Sequence, residues 1–116
     1  MNNVFDLVAD FYGQDEEWNS VLRQSYVENF LRSKSWQGAE DKELTEYWDY
    51  ITLLCIYLGN SENFLGDMSK DDFIDCIAWC GRNVADFALT DKKVAKFLDV
   101  MDELYTHLHN KKIIMS

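Results

Sequence analysis

The sequence predicts an all-α protein, a compact bundle of four to five amphipathic helices, and three observations carry that expectation. Proline is absent from the 116 residues and glycine occurs only five times, whereas average usage would place about six prolines in such a chain. Apolar residues recur at steps of three and four along most of the sequence, the spacing of a helix face. Alternating apolar and polar runs of strand type are hardly visible, and 47% of the residues are hydrophobic, enough to fill a core. The length suits one helical domain covering 1–116.

Five segments follow in order. The first, about Asn3 to Tyr12, places Val4, Leu7, Val8 and Phe11 on one face. The second, about Glu16 to Arg32, opens with the acids Asp15, Glu16 and Glu17, which suit a helix N-terminus. Its stripe is Trp18, Leu22, Tyr26 and Phe30, with Val27 and Leu31 to one side. The third, about Glu40 to Leu58, is expected to end at Gly59 as a C-terminal cap. It is apolar twice over: Leu44, Tyr47, Trp48, Ile51, Leu54, Cys55 and Leu58 make one wide face, and Tyr50, Leu53 and Tyr57 a second nearly opposite. Such a helix is either central in a bundle or partly covered by a partner.

A turn region from Gly59 to Met68 follows, with Phe64 and Leu65 expected to fold inward. Ser69 with Asp72 forms an aspartate variant of the capping box that starts the fourth segment. There Phe73, Ile77, Cys80, Val84 and Phe87 repeat as a packing seam, and Asp71, Asp75, Arg82 and Asp86 lie opposite. Gly81 weakens that helix by about 1 kcal/mol relative to alanine and marks a place for it to bend or break. The fifth segment runs from Thr90, its N-cap, to about His109. Val94, Phe97, Leu98, Met101, Leu104, Tyr105 and Leu108 form its stripe, and Lys96, Asp99, Glu103 and His107 are expected to face solvent. Just before the final Ser116 come Ile113, Ile114 and Met115, three apolar residues that must pack back or meet another chain.

Charge narrows the functions. With 21 acidic and 11 basic residues the net charge is −10, which disfavours direct binding to a nucleic-acid backbone or an anionic membrane. The local basic groupings are small: Lys92, Lys93 and Lys96, then Lys111 and Lys112. Three cysteines, no export signal and no apolar run near 18 residues point to reduced thiols and a cytoplasmic location.

Reactive motifs are missing. Cys76 and Cys80 lie four apart on a helix, but a zinc site needs further ligands at close spacing, and both fall on or beside an apolar stripe. Cys55 lacks the basic setting a reactive thiolate needs. His107 and His109 diverge by about 200° on a helix and cannot grip one ion; His107 is placed for a surface pair with Glu103. Glycine-rich phosphate loops and nucleophile elbows are absent. No catalytic, cofactor or metal residue is therefore expected.

The runs Tyr26-Val27-Glu28-Asn29-Phe30-Leu31, Thr45 with Tyr47, Met68-Ser69-Lys70-Asp71-Asp72-Phe73 and Leu104-Tyr105-Thr106-His107-Leu108 together resemble the helical order of the N-terminal core-binding domain of tyrosine recombinases. That resemblance implies a DNA-gripping, basic domain; the charge of −10 contradicts it, and the identification is not adopted.

The function expected is that of a non-enzymatic acidic module acting through a protein partner or as a homodimer. Tyr50, Leu53, Tyr57, Ile113 and Ile114 are the expected contact residues, because aromatic anchors dominate interface energetics. Two alternatives stand beside it: an acidic mimic of nucleic acid that occupies the basic groove of a DNA- or RNA-binding protein, and a ligand or carboxylate–metal pocket lined by Trp36, Trp48, Trp79 and the tyrosines.

Overall fold

The computed structural model describes residues 4–6, 8, 24–61, 65–84 and 90–112. Four α-helices account for most of them: α1 (Gln24–Trp36), α2 (Asp41–Ser61), α3 (Lys70–Asn83) and α4 (Asp91–Asn110), with a 3-10 turn at Leu65–Asp67. Val4, Phe5, Asp6 and Val8 are also helical, and no strand occurs among the described residues. The all-α bundle is therefore observed.

Several helix ends have an identifiable cause. Helix α1 continues four residues past the expected Arg32 and stops in a Schellman motif. Gly38 takes φ +103°, its amide donates to the Ser35 carbonyl at 3.0 Å, and the Ala39 amide donates to the Lys34 carbonyl at 3.1 Å. Helix α3 begins as expected at Ser69, whose Oγ accepts from the Asp72 amide at 3.3 Å while the Ser69 amide donates to Asp72 Oδ2 at 2.8 Å. Thr90 caps α4 by accepting from the Lys93 amide at 3.2 Å.

Two further expected boundaries move. Helix α2 does not end at Gly59 but continues to Ser61. The Asn60 side chain donates to the Ile56 carbonyl at 2.9 Å and Ser61 Oγ to the Leu58 carbonyl at 3.4 Å, the latter one of the last-turn carbonyls that a helix end leaves open. Helix α3 is shorter than its seam suggested. It ends at Asn83, two residues beyond Gly81, where Val84 turns to extended geometry with its amide on the Cys80 carbonyl at 3.0 Å. Phe64, Asp86 and Phe87, like Leu7, Phe11, Trp18 and Leu22, lie outside the described residues.

Helix α2 packs against α1, α3 and α4, and α4 likewise touches the other three. At 21 residues α2 is about 31 Å long from a rise of about 1.5 Å per residue, so it traverses a molecule measuring 32 × 30 × 28 Å. Its radius of gyration, 13.4 Å, is that of a compact chain of this length.

Around this axis the core closes. Val27, Phe30 and Leu31 come from α1, Ile51, Leu54 and Leu58 from α2, Phe73 and Ile77 from α3, and Phe97, Met101, Leu104 and Leu108 from α4. In α1 the buried side is Val27, Phe30 and Leu31, and Tyr26, expected on the stripe, is half-buried. Leu65 and Met68 fold inward from the turn, and Val4 and Val8 seal another edge. The Val4 amide donates to Asp41 Oδ1 at 3.1 Å and so ties the N-terminal stretch to the start of α2. Among the described residues no polar or charged side chain is buried.

Two substitutions test the helix ends. Ser69→Ala removes one half of the capping box and should cost about 1 kcal/mol in urea unfolding. Gly38→Ala meets no atom within 4 Å of the new Cβ, so its cost is purely the left-handed backbone, again about 1 kcal/mol. An unchanged midpoint for either variant contradicts the corresponding cap.

Candidate interaction surface

The second face of α2 is covered from within the chain. Tyr57 is buried, with its ring 5.8 Å from that of Trp79 on α3 in an edge-to-face contact. Tyr50 is half-buried and lies 5.0 Å from the Phe97 ring on α4. Leu53 is half-buried too, and its carbonyl accepts a weak hydrogen bond from Cys80 Sγ at 3.7 Å. Burial, followed by neighbouring carboxylates, pushes both tyrosine hydroxyls above the ordinary range. These three residues hold α3 and α4 against α2, whereas Ile113 and Ile114 lie outside the described residues.

Apolar surface is exposed elsewhere. Ile74 on α3 and Leu98 on α4 are 50% and 41% exposed. They stand beside a groove of about 280 Å³ whose floor includes Phe73, Ile77, Met101 and Tyr105. The Phe73 and Tyr105 rings meet edge to face at 5.8 Å, which braces the two helices across the floor. Lys70 Nζ reaches Asp102 Oδ1 at 3.5 Å on the same groove, and Asp99 adds a second carboxylate. Neither Ile74 nor Leu98 was singled out by sequence as a contact residue. Leu98 sits on the α4 stripe, and periodicity alone places it inside.

A polar seam joins α1 to α4. Lys34 Nζ pairs with Glu103 Oε1 at 2.7 Å, and the Tyr47 hydroxyl of α2 hydrogen bonds to the same carboxylate. Burial alone would raise the Glu103 carboxyl; the Lys34 and Tyr47 hydrogen bonds, with Lys96 nearby, outweigh it and hold the group below the usual range. Tyr47 is correspondingly pushed up by burial and by Glu103. His107 sits 5.5 Å from the Phe30 ring, and burial, then Lys111 and Lys34, keep it below the ordinary histidine value. Glu103 and His107 are thus half-buried rather than solvent-facing, and Glu103 pairs with Lys34 instead of His107.

The cysteines behave as small hydrophobes. Cys55, Cys76 and Cys80 are buried thiols that form no disulfide. The Cys76 hydrogen bond to Cys80, together with burial, pushes its thiol far up, which keeps it protonated. No group of three or more His, Cys, Asp or Glu side chains among the described residues is arranged to hold a metal ion. The tryptophans do not share one setting: Trp48 is buried, Trp79 half-buried and Trp36 88% exposed. No helix among the described residues is long and apolar enough to cross a membrane.

The seam makes stability sensitive to acid. A histidine whose folded pKa is lowered stays neutral where the unfolded chain already binds a proton. Stability should therefore fall as pH drops below about 6.5, and the loss levels off once the pH passes the folded value. The carboxylate of Glu103 acts in a lower window: its stabilisation is complete above about 4.3 and disappears as pH falls through its depressed folded value. His107→Gln should flatten the decline of the urea midpoint between pH 7 and 5.5. An identical decline in the variant removes His107 as its source.

Comparison of the chain with protein-family models, with curated proteins and with solved structures finds no match, so geometry and charge must carry the functional argument.

Proposed function

We propose that this protein is a non-enzymatic acidic helical module that works by docking another protein, and that the docking surface is the groove between α3 and α4. The observation that carries this is the position of Ile74 and Leu98, two large aliphatic side chains left exposed beside an apolar depression. Elsewhere the large hydrophobes of the described helices are buried or half-buried, apart from Trp36. A shallow trough between two helices suits the apolar ridge of a third, with anchors spaced three and four residues apart.

Charge selects the kind of occupant. A second copy brings another −10 to the contact, and like charges oppose association. Asp99 and Asp102 sit on the groove, and Asp71 and Asp75 are exposed on α3. An amphipathic helix with basic flanks around its apolar ridge answers both features, so the partner is a different protein with that chemistry. The half-buried Leu53 and Tyr50 contribute by fixing α3 and α4 in place.

A photocrosslinking residue installed at Ile74 tests this in native lysate, with the same residue at exposed Ala95 as control. Discrete crosslinks from position 74, absent from position 95, are expected, and Leu98→Asp should reduce them about tenfold or more. Because Leu98 is already partly in water, the variant should keep its helical content. Equal crosslinking from both positions, or crosslinks indifferent to Leu98→Asp, would overturn the proposal, as would a crosslinked species that is a dimer of this chain.

A further inference from the structure

The chain also carries a basic and aromatic pocket at odds with its overall charge. Asn29, Arg32, Ser33 and Trp36 of α1, with His107 and with Lys111 at the end of α4, line a cavity of about 370 Å³. No acidic side chain is among them. Two fixed cations thus meet three neutral hydrogen-bonding side chains and an indole on a molecule of net charge −10.

Neither cation is spent in an ion pair among the described residues. The described ion pairs join Lys34 to Glu103 and Lys70 to Asp102, and neither includes Arg32 or Lys111. Arg32 is positioned instead by the Phe5 ring, with its guanidinium carbon 4.4 Å from the ring centroid. Such a contact orients the group without neutralising it. Trp36 is 88% exposed, although a tryptophan ordinarily buries most of its large surface. His107, held below the usual histidine range, offers a neutral imidazole to the same cavity.

We infer that this pocket binds a small organic anion in which a phosphate or carboxylate is joined to a flat ring, the oxyanion resting between Arg32 and Lys111 and the ring stacking on Trp36. Each part of that ligand answers one feature. An oxyanion takes the N–H edge of a guanidinium and an ammonium together. A flat ring covers the indole face, which no described side chain covers. The volume is within the range of small-molecule sites. The carbonyl end of α4 opposes an anion, which restricts the charge to the side-chain cations rather than the helix terminus. Lys111 already commits its amide to the His107 carbonyl at 3.1 Å, so only its ammonium is available.

Heteronuclear NMR titration of the whole chain tests the inference with five probes: adenosine 5′-monophosphate, indole-3-acetate, adenosine, inorganic phosphate and a glutamate-rich peptide. At least one ring-bearing anion should give saturable shifts at the Trp36 indole N–H, His107 and Lys111. Adenosine and inorganic phosphate should each bind about tenfold more weakly. Saturation by the nucleotide alone assigns a phosphate, and by indole-3-acetate alone a carboxylate. Arg32→Gln and Trp36→Ala should each weaken binding about tenfold, with Trp36→Phe retaining most of it. Circular dichroism confirms that these surface variants stay folded. The inference fails if neither ring-bearing anion saturates, if inorganic phosphate binds as tightly as the nucleotide, if Trp36→Ala or Arg32→Gln binds like the parent, or if only the acidic peptide produces shifts.

Discussion

The fold depends on covering both apolar sides of α2. A helix with Ile51, Leu54 and Leu58 on one face and Tyr50, Leu53 and Tyr57 on another cannot lie on a surface without leaving one face wet. The cost of that exposure, roughly 25 cal/mol per Å² of apolar area, is avoided by placing α2 in the middle with α1, α3 and α4 around it. Aromatic pairs then fix the neighbours: Tyr57 on Trp79 for α3, Tyr50 on Phe97 for α4, and Tyr47 on Phe30 for α1, the last at 5.9 Å and edge to face. The helix is too long for the interior to hide its ends, so polar side chains such as Asn60 and Ser61 complete it at the surface.

No described carboxylate is buried in the core, and the strong acidity of the chain makes the placement of its cations informative. Lys34 is drawn to the rings of Phe30 and Tyr47, 5.9 Å from each centroid, while also pairing with Glu103. Lys96 lies 5.0 Å from the Tyr47 ring. These lysines fold their stems across apolar surface and keep their charge at its edge. The positive charge available to offset surface carboxylates is reduced in consequence. The seam between α1 and α4 is therefore an electrostatic joint within an otherwise apolar bundle, with Glu103 as the acceptor for both Lys34 and Tyr47.

Periodicity in the sequence is enough for the existence of the four described helices and the burial of the cysteines, and residue type for the capping box at Ser69 and the Thr90 cap, but three helix ends lie elsewhere. It could not say which flank of a helix acquires a neighbour. On α4, Phe97, Met101, Leu104 and Leu108 lie within one narrow arc and are all buried. The flanks part company there: α1 leans on the side carrying Glu103 and His107, which become half-buried, and the opposite side carrying Leu98 stays open to the groove. Val100, outside the expected stripe, is buried for the same reason. The two-sided pattern of α2 had the same ambiguity, since an aromatic face awaiting an external partner and one covered by the chain's own helices have the same spacing. Trp36 shows the reverse problem: α1 continues past Arg32, and about 100° per residue puts Trp36 on the side away from Val27 and Leu31, where it is exposed.

Separating stability from recognition follows from this arrangement. The residues that expel water, from Val27 to Leu108, are distinct from the exposed residues Ile74, Leu98 and Trp36. Deleting a core leucine opens a cavity and costs about 2–5 kcal/mol, a large share of the roughly 5–15 kcal/mol that holds a domain together. Changing one of the three exposed side chains removes little buried area and should leave the bundle standing. Natural surfaces tolerate large hydrophobes in water, but they gain no fold stability from those atoms. Ile74 and Leu98 flank a groove already braced by Phe73 and Tyr105, while Trp36 borders Arg32 and Lys111, which no ion pair among the described residues includes. What distinguishes them is that each stands beside a shaped depression and adds little to the packing of the bundle, which is why the proposed recognition is placed on them.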